Sequence, residues 1–223
     1  MKQILKVIIA VGLVAGLATG ANALTAGTIP AGHGNNDFIP TLFAGPEIGG
    51  FYGGQLFLVG GSANITFDFF GAEAGFHNEF NFNGSELLGF DHSGTPVLNI
   101  APNLTSPLAS ASIPGVSPGL LNFSFDFNND AGSVVNGSNP DDSAHNMGPN
   151  FFISFNPFST NAGGPTAGQV VWLFLDDGAS VDDNHDDFAV RLSIREGNFS
   201  VPEPATLLLL GLGLIGLAGL RRK

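Results

Sequence analysis

The sequence predicts an all-β protein, an antiparallel β-sandwich with jelly-roll-like character, and three observations lead to that class. Apolar and polar residues alternate along Ser62–Phe70, where Ile65, Phe67 and Phe69 share one side. Clusters of Gly, Asn, Pro and Ser separate the alternating segments, as turns do between strands. No stretch of residues 24–200 shows a sustained helical period. Strands that alternate in this way turn one face to a core and the other to water, which is the pattern of a sandwich.

The strand predictions rest on six segments that are apolar or that alternate with a period of two. They are Gln55–Val59, Ser62–Phe70, Leu120–Phe127, Phe151–Phe155, Gln169–Leu175 and Phe188–Ile194. The chain has 21 Phe residues against one Trp and one Tyr, and we expect the Phe stripes of these strands to form the core.

Two segments between the predicted strands are expected to be long loops. Thr95–Gly119 is rich in Pro, Ser and Ala, and Ala131–Asn150 is rich in Asn, Ser, Gly and Asp. Loops of this length are usually functional or mobile. The first segment is compatible with a short helical turn near Pro102–Ala111, and in the second we expect Asp141 and Asp142 to be solvated.

The first 23 residues have the features of a secretory signal peptide. Lys2 and Lys6 give a positive start, residues 7–18 are apolar, and Ala21-Asn22-Ala23 fits a cleavage site. We expect a signal helix that engages the Sec machinery and is removed by signal peptidase, so that the mature chain begins at Leu24. A permanent N-terminal anchor is the alternative.

The last 23 residues combine three features in a fixed order. Val201-Pro202-Glu203-Pro204 precedes the uncharged, Leu- and Gly-rich run 205–220, and Arg221-Arg222-Lys223 ends the chain. Inside a bilayer the backbone must bond to itself, so the run should be a transmembrane helix. At about 1.5 Å per residue it spans on the order of 24 Å, which is short for a core of about 30 Å. The basic end is expected to stay in the cytoplasm. An ordinary single-pass anchor is the alternative.

These C-terminal residues resemble the PEP-CTERM sorting signal of exported proteins in Gram-negative bacteria that make extracellular polysaccharide. The resemblance implies that an exosortase, a membrane transpeptidase-like enzyme, recognises Pro202, Glu203 and Pro204 and removes the helix. The chain would then consist of a signal peptide (1–23), an exported domain (24–200) and a sorting signal (201–223). It would be anchored transiently in the inner membrane and finish at the cell surface or in the extracellular matrix.

The exported domain is strongly acidic. Five of the chain's seven basic residues lie in the two terminal segments and one of its 19 acidic residues is Glu203, so residues 24–200 hold two basic and 18 acidic residues, a net charge of −16. We expect such a domain to repel nucleic acid and anionic membrane surfaces. Its charge could attract divalent cations, and a role in solubility alone is the alternative. Cysteine is absent, so burial, hydrogen bonds or bound ions must hold the domain together outside the cell.

Residues 176–187 hold six carboxylates in twelve positions between two predicted strands. Carboxylates at this density repel one another unless a cation lies among them, and Ca²⁺ takes about six to eight oxygen ligands. Asp182, Asn184 and Asp186 have the spacing that opens an EF-hand loop, but the glycine, the final acid and the helices of an EF-hand are absent.

The setting of these acids is a hairpin rather than a helical loop. Asp177 ends one predicted strand and Asp187 begins the next, so both can face one cation. The residues predict a calcium site with Asp177, Asp182, Asn184, Asp186 and Asp187 as ligands, and a solvated acidic turn is the alternative. Zinc bound through His185 is disfavoured, because one His among oxygens lacks the softer ligands that zinc prefers.

The hairpin also resembles the C-terminal β-hairpin of many bacterial surface and PEP-CTERM proteins. In a related surface domain the pattern Asp-x-Asp-x-Asn-Asp is associated with calcium binding. Asp182, Asn184, Asp186 and Asp187 fall on that pattern, with Asn and Asp exchanged at the two middle positions.

Together these observations predict a non-enzymatic exported protein of the surface or matrix that calcium stabilises. The chain has neither a G-x-S-x-G nucleophile motif nor a cysteine nucleophile. One alternative is a carbohydrate-binding module in which exposed Phe or Trp172 stacks on exopolysaccharide. Another is a secreted glycoside hydrolase, since its two carboxylates need no local motif.

Overall fold

The computed structural model describes residues 24–30, 34–91, 97–127, 131–145, 148–178 and 183–202. Within those ranges the chain forms sixteen strands and one short helix, and every strand pair is antiparallel. The all-β, antiparallel class predicted from the sequence is confirmed. The elements are β1 (Thr25–Ile29), α1 (Phe38–Leu42), β2 (Ile48–Tyr52), β3 (Phe57–Val59), β4 (Ala63–Ala74), β5 (Asn78–Phe82), β6 (Ser85–Phe90), β7 (Val97–Ile100), β8 (Ala109–Val116), β9 (Gly119–Leu120), β10 (Phe123–Phe127), β11 (Gly132–Val135), β12 (Asn150–Ser154), β13 (Ala167–Gly168), β14 (Val170–Asp176), β15 (Phe188–Ser193) and β16 (Asn198–Ser200).

The strands of the described residues form three sheets. The largest has eight strands in the order β1-β2-β12-β14-β15-β4-β7, with β8 also paired to β4. The second runs β11-β10-β5-β6 and the third β13-β16-β3-β9. This division differs from the two four-stranded sheets of a jelly roll. The reason is the length of β4, whose twelve residues pair with β15 on one edge and with β8 and β7 in succession on the other.

One face of the large sheet packs against the second sheet across a Phe-rich core. Phe67 on β4 meets Phe80 on β5 with ring centroids 5.6 Å apart. Phe188 on β15 meets Phe125 on β10 at 6.0 Å. Burying one such side chain contributes roughly 1.5–3 kcal/mol. Two sheets that face each other across one core have the packing of a sandwich, and the Phe stripes predicted from the sequence supply much of that core.

The opposite face of the large sheet is covered by the segment that contains α1. Phe38 packs on Phe174 at 6.1 Å, and Phe43 packs edge-on against Trp172 at 5.2 Å. Trp172 and Phe174 alternate along β14 with residues such as Leu173, which faces the first core. The large sheet is therefore buried on both faces at its centre, which explains why β14 is apolar at nearly every position.

All six predicted strands are present, as β3, β4, β10, β12, β14 and β15. The prediction of long loops at 95–119 and 131–150 is wrong in part, because these segments contain β7, β8, β9 and β11. Of the segment Pro102–Ala111, where a short helical turn was considered, residues 103–106 form a turn in which the Ser106 N–H donates to the carbonyl of Asn103 at 3.3 Å, and residues 109–111 belong to β8. Residues 109–116 show little alternation. They form β8 because the edge of β4 has backbone N–H and C=O groups that need hydrogen-bond partners. The five residues of α1 are too few to show a helical period.

The two helices predicted at the ends of the chain, in residues 1–23 and 205–220, lie outside the described residues. Across the ranges that the structure does describe, no helix is long and apolar enough to cross a membrane.

Candidate functional site

The two acidic residues at the end of β14 point to opposite faces of the large sheet. Trp172 and Phe174 face α1, and the period of two places Asp176 on that same side. Asp177 falls on the other side, where Nδ2 of Asn78 on β5 donates to its Oδ2 at 3.1 Å. The acidic loop therefore contributes to two separate clusters. We call them the core-side cluster (Asn78, Asp177, Asp187) and the helix-side cluster (Asp176, Asp183, His185).

In the core-side cluster, Asp177 and Asp187 meet across the connection between β14 and β15. The backbone N–H of Asp177 donates to Oδ2 of Asp187 at 2.8 Å. Nδ2 of the buried Asn78 also donates to the carbonyl of Asp187 at 3.4 Å. Burial, and then the charge of Asp177, raise the pKa of the Asp187 carboxyl well above its usual range. Two neighbouring carboxylates with restricted access to water favour either a shared proton or a bound cation.

In the helix-side cluster, two carboxylates and an imidazole converge in the interior. One oxygen of Asp176, one oxygen of Asp183 and one nitrogen of His185 lie within 4.8 Å of one another. Nδ1 of His185 is 3.4 Å from Oδ1 of Asp183 and 4.0 Å from Oδ2 of Asp176. The three residues are only 2%, 0% and 0% exposed in the order Asp176, Asp183, His185. Oδ1 of Asp176 accepts the backbone N–H of Gly178 at 2.7 Å, which orients the carboxylate.

The tautomer of His185 is determined by Asn150, the residue of β12 that pairs with Asp176. Nδ2 of Asn150 donates to the carbonyl of Gly148 at 3.0 Å, and a carbonyl can only accept, so the amide orientation is fixed. Oδ1 of Asn150 then lies 2.8 Å from Nε2 of His185, which must carry the proton. Burial lowers the pKa of His185 to about 3, so the ring is neutral. Its Nδ1 lone pair faces Asp183.

His145 and Tyr52 surround the helix-side cluster. Nδ1 of His145 is 2.9 Å from Oδ2 of Asp183. The Tyr52 ring packs edge-on against both imidazoles, with centroids 6.3 Å from His145 and 5.6 Å from His185. The hydroxyl of Tyr52 donates to the carbonyl of Thr28 at 2.7 Å. An open pocket of about 400 Å³ reaches Tyr52 and His145 from the outside.

Burial is the main cause of the shifted pKa values of Asp183 and Tyr52 in this region. Burial, and then the charge of Asp142, raise the pKa of Asp183, while His145 opposes that shift. Burial and the same carboxylates also raise the pKa of Tyr52. The expectation that Asp142 is solvated is wrong, because it is 3% exposed. Its loop folds against β1, where the Thr25 hydroxyl donates to Oδ2 of Asp141 at 2.5 Å.

Of the five predicted calcium ligands, Asp177 and Asp187 lie in the core-side cluster, and Asp182 lies outside the described residues. The remaining two, Asn184 and Asp186, hold the segment that precedes α1.

Asn184 and Asp186 make these contacts with backbone groups. Nδ2 of Asn184 donates to the carbonyl of Asn35 at 3.1 Å, and Oδ2 of Asp186 accepts the N–H of Asp37 at 2.8 Å. Asn36 completes the junction, since its Nδ2 donates to the carbonyl of Asn184 at 2.8 Å. The loop thereby holds the segment that precedes α1 against this face of the large sheet.

No local pattern in the sequence groups the three residues of the helix-side cluster. A signal was available in part, because Asp176 is in phase with Trp172 and Phe174 on β14. The register that places Asn150 opposite Asp176, and the approach of His145, involve separations that no local pattern reveals.

The folded core ends where the predicted sorting signal begins. Val201 is 1% exposed, and its N–H donates to the carbonyl of Thr166 at 2.8 Å. Pro202 is exposed, and Glu203 and Pro204 lie outside the described residues. A family model described as the PEP-CTERM protein-sorting motif matches residues 200–223.

The chain carries a PEP-CTERM sorting motif. This confirms the resemblance seen in the sequence, and a motif of this kind implies export and processing by an exosortase. The PEP-CTERM match covers the C-terminal segment alone, so it does not say what the exported domain binds.

Two further comparisons concern the whole chain. No curated protein sequence matches it. Among solved structures, the Chromobacterium violaceum lectin CV2L in complex with α-methyl-fucoside is similar to it at 13% identity, with 65% of this chain and 98% of the lectin covered and a TM-score of 0.35.

Proposed function

We propose that the exported domain is a non-enzymatic protein of the cell surface or extracellular matrix that binds Ca²⁺ at the connection between β14 and β15. The sorting motif supports the destination. The observation that carries the calcium proposal is the approach of Asp177 and Asp187 across this connection, where the N–H of Asp177 donates to Oδ2 of Asp187 at 2.8 Å.

The chemistry of the core-side cluster suits a hard cation. Asp177 and Asp187 supply carboxylate oxygens, and Oδ1 of the fully buried Asn78 is a carbonyl-type oxygen without a hydrogen-bond partner. Ca²⁺ prefers such oxygen ligands and tolerates a flexible shell that water completes. Asp182 of the connecting loop is the further ligand in this proposal. Binding would relieve the repulsion between two carboxylates and link two neighbouring strands of the large sheet.

Asn184 and Asp186 fit less well as ligands. Their side chains bond to the backbone of Asn35 and Asp37, so coordination would compete with contacts that fasten the segment before α1. We therefore centre the calcium proposal on Asp177, Asp182 and Asp187.

The test is a melting experiment on the full-length chain in detergent, with Ca²⁺, with Mg²⁺ and with a chelator. A ligand that binds only the folded state at a hundred times its Kd adds about 2.7 kcal/mol of stability. We expect Ca²⁺ to raise the Tm of the wild type and to leave the Tm of Asp177→Asn and Asp187→Asn unchanged. Asp91→Asn is the matched control, because the Asp91 side chain is 95% exposed. Identical melts in Ca²⁺ and in chelator would contradict the proposal.

A carbohydrate-binding module is the second candidate, supported by one exposed ring. Trp172, considered in the sequence analysis as a stacking platform, is 4% exposed and stacks on Phe174 at 5.9 Å, so it is not available to a sugar. Phe158 is 61% exposed and contacts Phe43 edge-on at 5.6 Å. A sugar ring could pack on such an aromatic face. A pull-down on native exopolysaccharide that fails equally with wild type and Phe158→Ala would exclude this role for Phe158.

A carboxylate-pair hydrolase gains less support. The two carboxylates of the helix-side cluster, Asp176 and Asp183, are buried, which leaves no room for a sugar ring between them. An assay of the secreted protein on native exopolysaccharide tests this alternative, and we expect no release of reducing ends.

A further inference from the structure

The Nδ1 lone pair of His185 points into the helix-side cluster with no hydrogen-bond partner, on a side chain that is 0% exposed. Because Asn150 fixes the proton on Nε2, Nδ1 cannot donate. The nearest acidic atom is Oδ1 of Asp183 at 3.4 Å, and this oxygen has no hydrogen-bond partner either. A lone pair and a carboxylate oxygen that face each other in the interior repel, unless something positive lies between them.

The spacing between Nδ1 of His185 and Oδ1 of Asp183 suits a metal ion better than a proton shared by these two atoms. A hydrogen bond between nitrogen and oxygen has a length of about 2.7–3.2 Å, and 3.4 Å is longer than that. A tetrahedral ion with bonds of about 2.0–2.2 Å holds its ligand atoms about 3.4 Å apart. The distance from Nδ1 of His185 to Oδ1 of Asp183 matches this edge, and Oδ2 of Asp176, at 4.0 Å from Nδ1, needs only a small approach.

We propose that Asp176, Asp183 and His185 bind one first-row divalent transition metal of the Zn²⁺ class on the α1 side of the large sheet. A neutral imidazole nitrogen with two carboxylate oxygens suits such an ion, whereas Ca²⁺ prefers oxygen ligands alone. The sequence disfavours zinc because one His among oxygens lacks softer ligands, and the donor set in the fold is still one imidazole with two carboxylates. What the fold adds is that these three groups are buried together, with Nδ1 of His185 and Oδ1 of Asp183 lacking hydrogen-bond partners.

The residues around the three ligands have the arrangement of an outer shell. A metal-binding histidine usually donates its other ring N–H to an oxygen that orients it, and Nε2 of His185 does so to Oδ1 of Asn150 at 2.8 Å. Nδ1 of His145, at 2.9 Å from Oδ2 of Asp183, orients the carboxylate in the same way. Asp176 is held by the N–H of Gly178. The three ligand side chains are therefore positioned before an ion arrives.

The bound ion would cross-link separate parts of the chain and so stabilise this face of the large sheet. It would connect the end of β14 to residues 183–185 and, through Asn150, to β12. Residues 184–186 in turn fasten the segment before α1, so the ion would also stabilise the cover of this face. The inference is independent of the calcium proposal, because the two clusters lie on opposite faces of the sheet and have different donors.

The experiment uses the full-length chain in detergent after removal of metals with a chelator. Zn²⁺ is titrated by calorimetry, and Co²⁺ serves as a spectroscopic probe whose visible absorption reports coordination by nitrogen. We expect one Zn²⁺ per chain and a rise in Tm. Asp183→Asn and His185→Gln should each weaken Zn²⁺ binding by about a hundredfold or more, since changes outside the ligand shell already weaken it by about 10- to 100-fold. Asn150→Ala should weaken it less than either.

Two control variants separate this site from the rest of the chain. Asp91→Asn removes a carboxylate whose side chain is 95% exposed, and it should leave Zn²⁺ affinity unchanged. His77→Gln alters a partly exposed histidine that pairs with Glu79 at 3.0 Å, and it should also leave the affinity unchanged. Because His185 is buried, circular dichroism checks that its variant folds, and the near-isosteric Asp183→Asn tests the site if it does not. The proposal is overturned if the wild type binds no Zn²⁺, if Asp183→Asn binds as the wild type does, or if His77→Gln abolishes binding.

Discussion

Arg191 on β15 donates two hydrogen bonds to Oδ2 of Asp68 on β4, from Nη2 at 2.7 Å and from Nε at 3.2 Å. The two residues are direct partners in the strand register. The guanidinium also lies over the Phe70 ring at 4.8 Å and donates to the carbonyl of Leu104 at 3.0 Å. Arg191 is one of two basic residues in residues 24–200, and it links β15, β4 and the chain that follows β7.

Replacing Arg191 with Met should lower the free energy of unfolding by about 3 kcal/mol, because Asp68 would keep its charge in a largely buried position without a cation. Chemical denaturation measures the loss. The double variant Arg191→Met with Asp68→Asn should recover part of it, since the uncompensated charge is gone. Equal stability of the single and double variants would show that the ion pair is not responsible.

Asn136 links the second and third sheets through its side chain. Its Oδ1 accepts the N–H of Leu56 at 2.8 Å, and its Nδ2 donates to the carbonyls of Leu56 and Leu121 at 2.8 and 2.7 Å. Asn136→Ala should cost about 2–3 kcal/mol, because buried backbone groups would lose their partners. The exposed Asn122 is the control, and Asn122→Ala should change the melting temperature little.

Gly178 has a backbone conformation and a neighbour that both oppose a side chain. Its φ is +76°, and a Cβ would lie 2.7 Å from Cδ of Pro149. Gly84 has the same φ of +76° with nothing within 4 Å of its Cβ position, so it isolates the conformational effect. Gly84→Ala should cost about 1 kcal/mol and Gly178→Ala more, measured by denaturation. Only Gly178→Ala should weaken Zn²⁺ binding, because the Gly178 N–H orients Asp176.

The junction between domain and sorting signal predicts where the chain can be shortened. A chain that ends at Pro202 keeps Val201 in the core and should melt at the temperature of the full-length protein. A chain that ends at Gly197 loses β16, with the buried Phe199 and Val201, and should lose about 4 kcal/mol or more. Thermal melts of the two truncated chains make the comparison. Equal melting temperatures for both would show that β16 does not contribute to the fold.

The Phe-rich strands could be predicted because their signal is local. Alternation along β4 and β10 follows from a strand geometry in which successive side chains point to opposite faces. The strands β7, β8 and β11 carried little such signal, since they form where β4 and β10 offer unpaired edges. The same limit applies to α1, whose few residues pack on Phe174 and Trp172 only after the sheet exists.

The sequence by itself determined the all-β class, the sorting motif at residues 200–223 and the acidic character of the loop after β14. Each of these features depends on residues that are neighbours in the chain. The alternation of apolar residues, the order of the motif residues and the acidic composition were therefore enough to predict them. Only the tertiary structure decided how the loop's carboxylates divide. The pleat sends Asp176 and Asp177 to opposite faces, and strand pairing over long separations brings Asn150 to one and Asn78 to the other. Partners that come from distant strands depend on the register of the whole sheet, which no local pattern contains.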